Sequence, residues 1–531
     1  MYVTDVIGET YKHWQTGVVL INAGTGTGKT TFVVKQLNEW AEITSTKILY
    51  LCNRRALKSQ VIKQAEAEQK AKTLAEDAME DETGDEHLDI WTYQALEKMK
   101  LCDPEKLDRF LRQYRYIVAD EAHYFMFDAQ FNHDTVVSYD ALKALWDQKI
   151  VIYMSATADY MFRQLENMDV VKAEQRYNVD KDTGYVDKLQ LYWNDHQLEC
   201  WLNSIQDGEK ALVFMETTDD VKKWRNKYGD AAVGYCSVHN KNVKKADALN
   251  DLKACLNNGI LQKKYTFTTK VLDNGVDIKD EALKHIFVET WEIDEAMQMF
   301  GRKRPLTEDD TCTFYIKGIP ADRAGQLYKQ VIADLEPGEA LFAKAKHRPE
   351  KWEAFRKKSD AERRLYDFAS VRIVKDTAKI EYNRMAMAGL RYKKNILSDI
   401  QADGYSKTLK KRMKWGLQDK VEPYMPPKLW RQETWTIIEN AIMNGSPLKK
   451  DYAQKLLMEL FLIKRKPSEE EATELLRGYD VTVVKQKWKK LRFRNCGIKL
   501  SGYSRRSDNG LFLRIPYMIY ENMPWRIPLP C

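Results

Sequence analysis

Along the first 320 residues the chain alternates between short apolar runs and longer stretches in which apolar positions recur every three or four residues. The runs cover residues 18–21, 47–52, 88–91, 116–119, 150–154, 210–215, 232–236, 265–269 and 286–288. Most lack the apolar–polar alternation of a strand wetted on one face. Such a run reads as a strand buried on both sides, which requires a parallel sheet with helices over each face. The stretches between the runs supply those helices, for example residues 31–37 and the one opening at Thr92. The alternation across residues 17–320 therefore predicts an α/β protein with two tandem parallel-sheet domains. Residues 64–87 are acidic and rich in alanine, and read as helix or as a loosely held segment. Tyr11 and Trp14, ahead of the first run, suit either stacking on a base or burial.

The pattern changes around Glu336-Pro337-Gly338-Glu339, and the C-terminal third reads as mostly helical. Residues 339–375 look helical, with Trp352, Phe355, Tyr366 and Phe368 among lysines and arginines. A hairpin of residues 371–375 and 378–382 turns at Asp376-Thr377, and a helix runs over 384–400. A basic run at 407–414 precedes a proline-rich linker at 422–427. Helices are expected near 432–443, 447–462, 468–477 and 483–491. Two short apolar runs, 497–500 and 511–515, then flank a basic tip at 505–510. Helices, a basic helix and a basic-tipped hairpin form the order of a winged helix, in which Lys485, Lys487 and Lys489 would face a groove and Arg505 and Arg506 touch phosphate. The alternative is a helical accessory domain whose lysines are merely solvated. The expected domains are 1–178, 179–330, 331–429 and 430–531.

Charge sharpens this division. The 531 residues carry a net +7, but residues 331–531 hold 42 Lys and Arg against 25 Asp and Glu, a net +17, and the rest 43 against 53, a net −10. A basic back on an acidic front suggests that the back meets a polyanion. No apolar run approaches the roughly 20 residues of a membrane span. The first residues show no charged leader with an apolar block, so neither secretion nor membrane insertion is expected. The eight cysteines are scattered and form no C-x-x-C pair, which fits a reducing, intracellular setting.

The chemistry is concentrated where the first apolar run ends. Ala23 is followed by Gly24, Thr25, Gly26, Thr27, Gly28, Lys29, Thr30 and Thr31, and then by a helical stretch. Strand, glycine-rich turn and helix form a phosphate-binding loop: backbone N–H groups face a polyphosphate, Lys29 reaches its terminal oxygens and the Thr30 hydroxyl can ligate Mg²⁺. Ala23 stands where the pattern has its first glycine. The run at 116–119 ends in Asp120-Glu121-Ala122-His123. A carboxylate at a strand's C-terminal end, in a chain with a phosphate loop, suits a metal-binding Asp120 and a water-polarising Glu121.

With Ser155-Ala156-Thr157 closing the next run, the chain resembles a superfamily 2 helicase of the DEAH-box kind. The second half continues the resemblance, with Thr269 and Gly275-Val276-Asp277 similar to the fifth motif of that family and Gln298-Met299-Phe300-Gly301-Arg302-Lys303-Arg304 to the sixth. It covers roughly the first 320 residues, with the motifs in family order, and implies two RecA-like domains. It further implies that Arg54, Arg55, Thr92 and Thr269 meet the nucleic-acid backbone. Ser155 and Thr157 would couple hydrolysis to strand movement, His123 and Gln298 pair between domains, and Gly275 and Asp277 lie near the nucleotide. Arg302 would be an arginine finger. The sixth motif departs from the DEAH pattern: Met299 replaces its first arginine, and Arg304-Pro305 replaces its final Gly-Arg. That form is more similar to herpesvirus-type origin-binding helicases and their phage and mobile-element relatives, and the second finger is then either Arg304, one place early, or absent.

The implied function is an ATP- and Mg²⁺-dependent helicase or translocase with a nucleic-acid partner, DNA before RNA, and possible protein partners at the C-terminal region. The alternatives are a DEAH-type RNA helicase, an ATP-switched DNA-binding initiator or scaffold without unwinding, and the motor subunit of a restriction or defence complex.

Overall fold

The computed structural model describes residues 1–53, 72–73, 87–168, 170–236, 259–272, 277–347, 368–374 and 379–424. Towards the C-terminus it describes 432–443, 448–461, 463, 465–468, 471–472, 481–486 and 490–495. Arg54, Arg55, Gly275, Lys487, Lys489, Arg505 and Arg506 lie outside the described residues.

The first domain is built on a seven-stranded sheet. Its strands are β1 (Gly17–Ala23), β2 (Ile48–Cys52), β3 (Lys72–Thr73), β4 (Leu88–Thr92), β5 (Tyr116–Ala119), β6 (Ile150–Ser155) and β7 (Val171–Val179). In space they run β3-β4-β2-β5-β6-β1-β7, all parallel. Successive residues point to opposite faces, so Val18, Leu20, Leu49, Ile117 and Val151 fill one core while Val19, Ile21, Ile48, Val118 and Ile152 fill the other. Tyr11 and Trp14 take the buried option, edge-on to Phe32 at ring-centre distances of 5.6 and 6.0 Å.

The second domain repeats the plan with β8 (Val186–Tyr192), β9 (Lys210–Phe214), β10 (Ala232–Tyr235), β11 (Tyr265–Thr268), β12 (Leu283–Val288) and β13 (Cys312–Lys317). The sequence pattern singles out neither β7 nor β8 nor β13. Along β7 exposed Lys172, Glu174 and Arg176 interrupt the apolar positions, as befits an edge strand, and β8 opens Val186-Asp187-Lys188 before its apolar part.

The described part of the C-terminal third packs on both sheets. The helix Ala321–His347 runs through residue 330 and packs on the helix Arg384–Asp403. Between them lies the expected hairpin, β14 (Val371–Val374) and β15 (Lys379–Tyr382), with Val371 opposite Tyr382. The strand β16 (Val421–Glu422) pairs parallel with β8 and completes the second sheet in the order β10-β11-β9-β12-β13-β8-β16. The helix Arg384–Asp403 enters both lobes. Met385 and Ala386 join the first core, and Met387, Leu390, Ile396, Leu397 and Ile400 join the second. Lys393 bridges Gln130 of the first lobe at 3.2 Å and Glu292 of the second at 2.8 Å.

Helices at Gln432–Met443 and Lys450–Phe461 match expectation, and Ile438, Leu456, Leu457 and Leu460 pack in one cluster with Leu198 and Trp224 of the second domain. The described residues of the helix expected over 483–491, which are 483–486 and 490–491, are strand. The chain there forms an antiparallel pair, β18 (Val481–Gln486) and β19 (Lys490–Asn495), with β17 (Leu448–Lys449) as third strand. Four consecutive residues, Val481-Thr482-Val483-Val484, are β-branched and favour strand over helix. Lys485 therefore lies on a strand, opposite Leu491, and not on a groove-entering helix. Within the acidic stretch at 64–87, Lys72–Thr73 is a strand beside β4 and not helix. Among the described residues no helix is long and apolar enough to cross a membrane.

Candidate active site

The phosphate loop leaves the C-terminal end of β1, next to β6 and one strand from β5, so the three segments that carry chemistry leave the same edge of one sheet. Gly26 and Gly28 have φ of +83° and +85°, a region that glycine enters without a Cβ penalty. Thr27 Oγ1 donates to the Gly24 carbonyl at 2.8 Å and tightens the turn. The helix Lys29–Phe32 follows and continues through a π-turn, Val33–Leu37. Lys29 is buried, and Nζ donates to the carbonyls of Ala23 at 2.9 Å and Gly24 at 3.1 Å. Burial pulls its pKa down against the opposing charges of Glu121 and Asp120. Thr30 Oγ1 lies 3.5 Å from the Tyr50 hydroxyl, which donates to Asp120 Oδ2 at 2.6 Å. Tyr50 thus ties Thr30 to Asp120, a role the sequence pattern does not reveal.

Asp120 ends β5, and its Oδ1 accepts from the Glu121 backbone N–H at 2.9 Å. Burial, then the neighbouring Glu121, pushes the Asp120 pKa up. Glu121 has φ of +48°, a left-handed conformation that a non-glycine residue adopts at a cost of roughly 1–3 kcal/mol. Burial raises the pKa of Glu121, but His123, Lys29 and Arg302 outweigh it and hold the carboxyl below its ordinary range. His123 Nδ1 lies 3.3 Å from Glu121 Oε2 and 3.1 Å from Ser155 Oγ. Burial lowers the His123 pKa, and the Glu121 carboxylate reverses this to a net rise.

From the second lobe, Gln298 on the helix Ile293–Phe300 closes the cluster. Its amide nitrogen lies 3.0 Å from His123 Nε2 and donates to Thr157 Oγ1 at 3.0 Å. The Thr157 N–H donates to Ser155 Oγ at 3.1 Å. Residues expected to couple the lobes therefore meet in one buried hydrogen-bonded group. Arg302 Nε donates to the Gln298 carbonyl at 3.1 Å, and the Arg302 charge acts on both Lys29 and Glu121. Lys303 makes a bridge with Ile278, so the chain is extended there. Lys303 turns inward to Asp310 at 2.7 Å. Arg304 pairs with Asp277 at 2.8 Å and lies against the loop: a Cβ at Gly26 would come within 2.8 Å of its Cζ.

Other expected residues lie at strand ends. Thr92 is buried at the end of β4 and caps the helix Tyr93–Cys102, accepting from the Ala95 N–H at 3.2 Å. Thr269 is half-buried after β11, and its N–H donates to the Tyr235 carbonyl at 3.3 Å. Lys181, in the segment that joins the lobes, donates to Thr25 Oγ1 at 3.2 Å. No motif marks it; only its place directly after β7, the neighbour of β1, could have pointed to it.

Residues 3–159 match the family described as the Res subunit of type III restriction enzymes. That region holds the phosphate loop, residues 120–123 and Ser155 and Thr157. The chain has two RecA-like parallel-sheet domains. Among solved structures it is similar to Dbp5 of S. cerevisiae bound to RNA and ADP–BeF3, at 14% identity and a TM-score of 0.40 over 57% of this chain and 79% of that one. It is also similar to a DEAD box protein from the hyperthermophile Methanococcus jannaschii, at 16% identity and a TM-score of 0.35 over 59% and 85%. Comparison with curated proteins finds no match.

Proposed function

We propose that the chain is an ATP-dependent nucleic-acid helicase or translocase of superfamily 2, in the DEAH-box line, working on DNA. The observation that carries the reading is that Arg304 of the second lobe lies against Gly26 of the phosphate loop and the charge of Arg302 acts on Lys29, while Gln298 binds His123 and Thr157. A hydrolytic site completed by a second lobe makes lobe closure part of the reaction. Lys29, Arg302 and Arg304 offset the charge that spreads over a transferring phosphoryl group, and Glu121 is positioned to orient and polarise the attacking water.

The residues present fit a Mg²⁺-nucleotide. The loop offers two left-handed glycines and a buried lysine that spends its donors on loop carbonyls. The Thr30 hydroxyl and the Asp120 carboxylate, joined by Tyr50, would hold the ion. When bound, Mg²⁺ neutralises phosphate oxygens. The chain's own part is to orient water at Glu121, carry the state of that carboxylate to His123, and pass it to Gln298. Reopening then moves whatever strand lies along the C-terminal strand ends near Thr92 and Thr269.

DNA as substrate rests on the sixth motif, with Met299 and Arg304-Pro305 in place of the DEAH residues, and on the basic C-terminal third. Displacement of a labelled strand from forked DNA, but not from an RNA duplex, with ATP present tests this. Displacement from RNA alone would make the chain a DEAH-type RNA helicase, and none from either would favour the ATP-switched initiator. The family match favours a second reading, the motor subunit of a restriction complex. Co-purification of the full chain with a nuclease separates that from a stand-alone helicase.

A further inference from the structure

Lys181 belongs to none of the motifs, yet it lies on the phosphate loop. It follows β7 at the start of the segment that leads into the second lobe. Its stem packs where Gly24 leaves room, since a Cβ at Gly24 would stand 2.5 Å from Lys181 Cβ. Its Nζ donates to Thr25 Oγ1 at 3.2 Å and stands 5.5 Å from the centre of the Tyr185 ring. An ammonium has three donors, and Thr25 takes one of them.

The electrostatic setting is peculiar for a structural lysine. Burial presses its pKa down, and Arg304, Arg302 and Lys29 press in the same direction, with Asp277 opposing. Asp277 is itself bound to Arg304 at 2.8 Å. A neutral side chain of the same length would fill the space against Gly24 without that repulsion. Lys29 and Arg302 have Glu121 within reach, and Lys29 also has Asp120, but the carboxylate that opposes the charge on Lys181 is Asp277, already bound to Arg304; a polyphosphate on the loop would relieve the repulsion that remains on Lys181.

Thr25 also fixes which phosphate is concerned. Gly301 of the second lobe comes so close that a Cβ there would stand 2.9 Å from Thr25 Cβ. The leading half of the loop, Gly24 to Gly26, therefore faces Lys181, Gly301 and Arg304 together, while the trailing half runs into its own helix. In the ATPase reading above, on which this inference rests, Arg302 and Arg304 address the terminal phosphate. We propose that Lys181 is a further ligand of that terminal phosphate, delivered from the segment between the lobes. It binds the nucleoside triphosphate in preference to the diphosphate, and links the presence of the last phosphoryl group to the hinge.

The test is calorimetric titration of the full chain with AMPPNP and with ADP, each with Mg²⁺, for wild type, Lys181→Ala, Lys181→Met and Lys181→Arg. A charge-assisted hydrogen bond to phosphate corresponds to roughly ten- to a hundredfold in affinity. Lys181→Ala and Lys181→Met are both expected to weaken AMPPNP by that factor while ADP changes by less than about threefold, and Lys181→Arg to recover most of the loss. Equal losses for AMPPNP and ADP, unchanged AMPPNP binding, or normal binding by Lys181→Met would each overturn the assignment. Failure of the wild type to bind either nucleotide would instead sink the ATPase reading itself.

Discussion

Gly301→Ala is the substitution whose effect follows most directly from the interface between the lobes. Gly301 has φ of −64° and ψ of −4°, so alanine fits its backbone. The added methyl has nowhere to go. It would stand 2.9 Å from Thr25 Cβ and nearer still to Thr25 Oγ1, with the Gln298 carbonyl at 3.0 Å. Carbon atoms in contact keep about 3.5–4.0 Å, so the second lobe must retreat from the phosphate loop by about 1 Å. A misplacement of about 1 Å at reacting groups costs on the order of a hundredfold in rate. The compatible φ gains about 0.4–1 kcal/mol through the unfolded chain, and the crowded methyl costs about 1–3 kcal/mol. Gly301→Ala is therefore expected to lower kcat for ATP hydrolysis about a hundredfold with Tm unchanged or somewhat lower. Adding Thr25→Ala, which removes Oγ1, should restore part of the rate. Steady-state hydrolysis and thermal melting of wild type and the two variants give the answer. A Gly301→Ala enzyme within about threefold of wild type would mean that the lobes never approach this closely during turnover.

Three further outcomes follow from other parts of the structure. Lys29→Ala and Glu121→Gln should both abolish hydrolysis, with Glu121→Gln still binding ATP; full activity in Glu121→Gln would remove it as the residue that activates water. Burial raises the Asp294 pKa from 3.8 to about 6, against Tyr392, Arg412 and His123. The folded state then holds this proton more tightly, so the cost of the buried carboxylate is present in full above about pH 6 and is relieved as pH falls towards 4. Asp294→Asn should gain up to about 3 kcal/mol over wild type at pH 7 and nothing near pH 4, which urea unfolding at the two pH values measures. On the helix Tyr405–Arg412, Lys407, Lys410 and Lys411 are exposed. Changing all three to Gln should weaken DNA binding and reduce the slope of log K against log salt by roughly 2–3; an unchanged slope would clear this helix of phosphate contact.

The last of these variants replaces a cruder one that the sequence alone invites. Deleting 331–531 looks like removal of a basic tail, but it would strip Met387, Leu390, Ile396 and Leu397 from the second core. Charge counts expose an excess of lysine and give no sign of where a helix docks. What was legible is explained by locality. The phosphate loop, residues 120–123 and Ser155 with Thr157 are short segments at the ends of apolar runs, and run and motif reinforce each other. The two-sheet plan was legible for the same reason, except at β7 and β8, where polar residues break the apolar signal, and at β13, which no motif flanks. Residues 483–486 and 490–491 read as helix because their lysines resemble a solvated helical face, whereas the β-branched run from Val481 to Val484 sets the backbone. Lys181 and Tyr50 were invisible because their roles arise from tertiary proximity, to Thr25 across 156 positions and to Asp120 across 70.

The central claim is that nucleotide hydrolysis between the lobes answers to a bound nucleic-acid strand. The most direct measurement is steady-state ATP hydrolysis with no nucleic acid, with single-stranded DNA, with duplex DNA and with single-stranded RNA, using Glu121→Gln as the blank. The account predicts a low basal rate that single-stranded DNA raises and Glu121→Gln abolishes. A rate that none of the nucleic acids changes would contradict it.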